Sequence, residues 1–144
     1  MNHELSTAQS ILITASPEAV WEVLTQPEQI AKYLFGTQTI TDWKVGSTIV
    51  FQGEYNGQSY LDKGIVKENK LHERIVYAYW SGFSGLEDLP ENYSTITYLI
   101  EKVADKQVNF TWQQQGFFSE EGLKHAASGL PAMLGQIKQQ AEEI

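Results

Sequence analysis

Three histidines, one serine in a glycine frame and a group of loop acids are the residues of this chain whose types could do chemistry. His125 follows Glu121 by four positions, a helical spacing that sets both on one face and could hold a metal. No third ligand joins them, and a solvated contact between the two is the simpler reading, so no metal site is assigned. His3 and His72 fall in a tail and a turn, without partners at ligand spacing. Gly82-Phe83-Ser84-Gly85-Leu86 begins like a nucleophile elbow, but Leu86 stands where the pattern needs glycine. The element after it reads as a strand, where an elbow leads into a helix, so this is a flexible loop. Glu87, Asp88 and Glu91 could meet a cationic ligand at a pocket mouth; a solvated acidic loop is the simpler account. Nothing favours paired-acid glycoside chemistry, and no glycine-rich phosphate loop is present. No catalytic constellation is visible, and no cofactor is assigned.

Aromatic residues are the unusual feature, with 4 Trp, 7 Tyr and 6 Phe. Tyr77, Tyr79, Phe110 and Trp112 occupy alternating strand positions expected to face inwards, and Phe51 and Tyr60 lie on a central hairpin. They build either a solid aromatic core or the wall of a cavity in which Tyr hydroxyls and Trp N–H groups orient a mostly apolar ligand. A tyrosine buried in a solid core needs a partner for its hydroxyl, whereas a cavity supplies water or ligand, which tilts the reading to the cavity. With Leu130 and Leu134 from the helix opposite, the candidate ligand-binding set is Phe51, Tyr60, Tyr77, Tyr79, Phe110, Trp112, Leu130 and Leu134.

The elements that must position this set are legible in the pattern. A strand over Ser10–Thr14, beginning near Ser6, leads to Ser16-Pro17-Glu18, an N-cap followed by a helix-starting proline and an early acid. That helix carries Val20, Trp21 and Leu24, and Pro27 restarts the chain into a second short helix ending before Gly36. From Thr37 to Gln115 the pattern is of about six alternating strands. They include Thr48–Tyr55, the hairpin turn Asn56-Gly57, a return strand from Gln58 to about Lys67 with Gly64 as an expected bulge, and Arg74–Trp80. Strands from Ser94 to Lys102 and through Val108, Phe110 and Trp112 follow a longer loop. After Ser119, a second N-cap with Glu120 and Glu121 in the first turn, one amphipathic helix runs to the C-terminus. Leu123, Ala126, Ala127, Leu130, Leu134, Ile137 and Ala141 form its apolar stripe, which must lie on the sheet. Its mixture of small and large residues leaves space above the sheet, and Pro131 is expected to kink it. The fold class is α+β, a curved antiparallel sheet of about seven strands around a long C-terminal helix, with two short helices after the first strand.

The totals agree. A chain of 144 residues with 42% hydrophobic and 19% charged residues reads as one globular domain, 1–144. The absence of cysteine removes disulfides and thiolate chemistry. A net charge of −8, with Arg74 the only arginine, argues against nucleic acid and anionic membranes and leaves uncharged or cationic ligands open. With no signal-like N-terminus and no membrane-spanning apolar run, a cytoplasmic location is the default expectation.

Several stretches carry a resemblance. Pro17-Glu18-Ala19-Val20-Trp21-Glu22-Val23-Leu24-Thr25 with Pro27-Glu28, then Trp43-Lys44-Val45-Gly46, resembles the opening of the activator of heat-shock-protein-90 ATPase homologue-like family. Gly64-Ile65-Val66, Arg74-Ile75-Val76-Tyr77 and Gly116-Phe117 leading to Gly129-Leu130-Pro131-Ala132-Met133-Leu134 continue it in order. Each piece is weak, but the ordered set is specific and covers nearly the whole chain. The resemblance implies a START-like, pollen-allergen-like helix-grip fold, in which the sheet grips the helix over a hydrophobic cavity. Where that family usually carries Gly-Trp-Pro, this chain has Gly129-Leu130-Pro131, which should enlarge or reshape the pocket. The extra chaperone-binding domain of the eukaryotic co-chaperones is not expected here, since the helix-grip layout accounts for these residues. The leading expectation is a protein binding a small apolar or aromatic molecule, lipid-like or polyketide-like. The resemblance also implies two alternatives: a stress-related interaction protein with a chaperone partner, or a cyclase- or aromatase-type enzyme using Tyr77, Tyr79 and His125.

Overall fold

The computed structural model describes all 144 residues, Met1–Ile144. Strand β1 (Asn2–Ile13) leads through a turn into helices α1 (Pro17–Thr25) and α2 (Pro27–Tyr33). Strands β2 (Gln38–Ile40), β3 (Thr48–Tyr55), β4 (Gln58–Lys70), β5 (Arg74–Trp80), β6 (Ser94–Ala104) and β7 (Gln107–Phe117) follow, then helix α3 (Glu120–Glu142). The strands form one seven-stranded antiparallel sheet in the order β1-β7-β6-β5-β4-β3-β2, so the first strand pairs with the last. The sheet curves around α3, as the α+β helix-grip layout requires.

Local chemistry accounts for most boundaries. The Ser16 hydroxyl accepts from the Ala19 N–H, capping α1 before Pro17. Ser119 does the same for α3 through the Gly122 N–H at 3.1 Å. Asn56 and Gly57 both have positive φ, 51° and 77°, as a two-residue hairpin turn of this hand needs.

Three expectations are corrected. Strand β1 starts at Asn2 instead of near Ser6, because β7 continues to Phe117 and offers Asn2 a partner. Strands β4 and β6 likewise run on to Lys70 and Ala104, since polar residues still have a neighbouring backbone to pair with. The β4 irregularity lies between Val66 and Glu68, not at Gly64. Glycine at 64 answers a different need: a Cβ there would sit 2.8 Å from the Ala78 carbonyl oxygen on β5 and 3.3 Å from Ile49.

Inward-facing residues alternate along each strand. Ile49 and Phe51 on β3, Val66 on β4, Ile75 and Tyr77 on β5, Ile96, Tyr98 and Ile100 on β6 and Phe110 on β7 are all buried. Val20, Val23 and Leu24 of α1 and Ile30 and Tyr33 of α2 complete this core against Leu134, Ile137 and Ala141 of α3. Each fully buried large apolar side chain contributes about 1.5–3 kcal/mol.

Candidate functional site: a space under the first half of the long helix

Helix α3 is not seated evenly. From Leu130 onwards its stripe is buried, with Leu134, Ile137 and Ala141 at 1% exposure or less. Before Leu130, Leu123, Ala126 and Ala127 are only half-buried. Polar anchors explain the difference. The Gln140 amide donates to both the Gln29 backbone carbonyl and its side-chain oxygen, each at 2.9 Å, bolting α3 to α2. The Glu142 carboxylate accepts from the Thr14 N–H at 2.8 Å, where β1 ends. Both anchors lie in the C-terminal half, and the N-terminal half has only its Ser119 cap. The helix runs unbroken through Pro131, which is exposed, although the proline leaves the Ala127 carbonyl without its usual N–H.

Two adjoining cavities lie beside this part of the fold, sharing His125 of α3 in their linings. One, of about 440 Å³, is walled by Phe51, Tyr77, Tyr79, Ile96 and Trp112 from the sheet. The other, of about 710 Å³, lies along α3 beside Ala126, Gly129, Leu130 and Met133. Phe35, Tyr55, Trp112, Gln114 and His125 border both. Phe35, after α2, is 91% exposed with a φ of 55°, and Tyr55 and Phe83 are also largely exposed, so the rim itself is aromatic.

Of the residues singled out in the sequence, Phe51, Tyr60, Tyr77, Tyr79 and Trp112 border the smaller cavity, and Trp112 and Leu130 the larger. Phe110 and Leu134 lie deeper, in the packed core. Ring centroids 5.9 Å apart for Phe51–Tyr79, 6.0 Å for Phe51–Tyr77 and 5.5 Å for Tyr77–Tyr98 make a continuous aromatic wall. Tyr60 faces Gly53 across the hairpin, where a Cβ would sit 2.8 Å from its hydroxyl. Glycine therefore lets the ring lie flat and bond Thr37, while Phe83 packs on it at 5.6 Å.

The wall is polar at chosen points. The Tyr77 and Tyr98 hydroxyls bond each other at 2.7 Å in the interior. Burial pushes both phenols well above their ordinary range. Asp62 is 9% exposed on β4, in the inward phase shared by Tyr60, Gly64 and Val66. Its carboxylate accepts from the Tyr79 hydroxyl at 2.6 Å and from the Gly82 N–H at 2.8 Å. Burial first, and the adjacent Asp62 carboxylate second, raise the Tyr79 phenol, so it stays protonated and donates. Gln114, on β7, donates to the Ser94 hydroxyl at 3.3 Å.

Asp62 and Gln114 escaped the sequence reading. Their signal was phase: each is a polar residue at a strand position whose neighbours two residues away face inwards. Other polar candidates resolve differently. Glu121 and His125 form no ion pair; His125 borders the cavity mouth instead. Asp88 is tied down, accepting from Lys63 at 2.7 Å and from Tyr93, and these bonds hold its carboxyl below the usual range. Ser84 caps a local turn by accepting from the Leu86 N–H. No group of three or more His, Asp or Glu side chains stands together as a metal site would, and no helix is long and apolar enough to cross a membrane.

The fold is shared with known proteins. Among solved structures, the chain is similar to protein ChR145 from Cytophaga hutchinsonii, with 35% identity, 99% of this chain and 97% of that one covered, and a TM-score of 0.82. It shares its fold with the Aha1 dimer protein of Colwellia psychrerythraea, at 18% identity, 96% coverage of each chain and a TM-score of 0.74. An HSP90 activator from Plasmodium falciparum is similar at 17% identity, covering 93% of this chain and 94% of that one, with a TM-score of 0.74. No curated protein matches the sequence. The family described as Activator of Hsp90 ATPase homolog 1-like protein matches residues 14–142, from the end of β1 to the end of α3, and the chain belongs to that family.

Proposed function

We propose that this protein binds one small, mostly apolar aromatic molecule between the concave face of the sheet and the N-terminal half of α3. The observation that carries this reading is the aromatic wall of Phe51, Tyr77, Tyr79 and Trp112 around a space of about 440 Å³. That volume falls within the ~300–1,000 Å³ common for small-molecule sites, which combine apolar linings with a few placed polar groups. The half-buried Ala126 fits the same reading, because it borders the adjoining larger cavity and a ligand there would cover it. Calorimetric titration with pooled flavonoids, sterols, fatty acids and aromatic polyketides tests it. Saturable binding near one equivalent, with a negative heat-capacity change from apolar burial, is expected. Absence of heat and of competition across every pool would contradict it.

A second reading, contact with a chaperone, is favoured by the family description and by the exposed rim aromatics Phe35, Tyr55 and Phe83. It predicts that adding the protein raises the turnover of an Hsp90-type ATPase, and that Phe35→Ala weakens the effect. Unchanged turnover removes this reading.

A further inference from the structure

We propose that the smaller cavity selects an aromatic molecule carrying a protonated amine, with the Asp62 carboxylate as the acceptor that orients it. This rests on the small-ligand reading above and names the ligand's polar group.

The first support is the charge of the lining. Asp62 and, at the mouth, Glu54 border the smaller cavity, and no lysine or arginine does. Lys63, next to Asp62 in sequence, points to the other face of β4 and is engaged by Asp88 at 2.7 Å. A carboxylate sits in an inward, apolar phase of a strand without a counter-cation, an arrangement that costs free energy unless something compensates it. The two internal donors, Tyr79 and Gly82, use only part of its capacity, since a carboxylate offers about four acceptor sites on its two oxygens.

The second support is the wall. Phe51, Tyr60, Tyr77 and Tyr79 gather around Asp62: Phe51 is its direct partner across β3 and β4, Tyr60 stands two residues before it, and Tyr79 bonds it. The negative faces of aromatic rings attract cations, most strongly when both are removed from water. An ammonium donates up to three hydrogen bonds and accepts none, so it would complement Asp62 without leaving an acceptor of its own unpaired. A ligand carboxylate placed there would meet Asp62 as a like charge.

A matched set of ligands separates this proposal from the reading beneath it: naphthylmethylamine, naphthylmethanol, methylnaphthalene and naphthoate, each titrated calorimetrically at pH 7. The amine is expected to bind at least about tenfold more tightly than methylnaphthalene, with the alcohol between and naphthoate weakest. Asp62→Asn should bring the amine down to the level of the alcohol while methylnaphthalene changes less than about twofold. Should that variant fail to fold, Tyr79→Phe keeps both ring and carboxylate and frees one Asp62 oxygen, so the amine preference should rise. Equal binding of amine and hydrocarbon, a preference for naphthoate, or loss of the amine preference in Tyr79→Phe would overturn the proposal while leaving an apolar site. Failure of all four ligands to bind would overturn both.

Discussion

At the scale of single residues, the interior depends on polar groups satisfying one another. The Tyr77–Tyr98 hydroxyl pair, buried at 2.7 Å, is the clearest case. Removing one hydroxyl leaves the other buried without a partner, so Tyr77→Phe and Tyr98→Phe should each cost about 1–3 kcal/mol in denaturant unfolding. The double variant should cost clearly less than the sum, because no orphan remains. Additive losses would show that the hydroxyls act independently. Residue-level reading succeeded for caps and turns, whose chemistry is local: Ser16, Ser119 and Asn56-Gly57 each act within a few positions. It misassigned Gly64, because a strand glycine signals either a bulge or a close approach, and only the Ala78 carbonyl on the next strand decides between them. Asp62 was missed for a related reason: its partners Tyr79 and Gly82 lie 17 and 20 residues away.

The element that matters is α3. Its C-terminal half is held by Gln140 on Gln29, by Glu142 on Thr14 and by buried Leu134, Ile137 and Ala141. Its N-terminal half has a cap and a half-buried stripe. Local opening follows the density of buried contacts, so hydrogen exchange should be faster at amides 124–129 than at 134–141, and a bound ligand should slow the first group selectively. Uniform protection along the helix would contradict the uneven seating. The helix and its stripe were legible from periodicity, and its cap from the type of Ser119 and the acids after it. The uneven burial was not, because a 3.6-residue repeat states which side faces the sheet and says nothing about how completely that side is covered. The well-covered half is the one anchored on α2 and β1, through contacts that no local pattern encodes.

On the scale of the whole molecule, burial of phenols sets the response to alkali. Tyr33, Tyr77, Tyr79 and Tyr98 are all raised above the ordinary tyrosine value, with burial the largest cause for each. Below pH ~10 the phenols are protonated in both folded and unfolded chains, and the stability tied to their burial is fully present. As pH rises past ~10 the unfolded chain ionises first, and each phenol withdraws up to about 1.4 kcal/mol per pH unit from the folded state. Urea midpoints should therefore fall steeply between about pH 10 and 12, together with phenolate absorbance; a flat profile would place these hydroxyls in contact with water. The same sheet that buries these rings leaves space beside its aromatic face, bordered by His125 of α3. The family match was legible in the ordered motifs because they serve the shared fold, whereas the cavity's polar points arise from long-range pairing. Amide and indole chemical-shift mapping during titration with an apolar aromatic ligand tests the central claim most directly. The account predicts saturable shifts gathered at Tyr77–Tyr79, the Trp112 indole and residues 123–130. Shifts scattered over the outer face of the sheet, or none at saturating ligand, would contradict it.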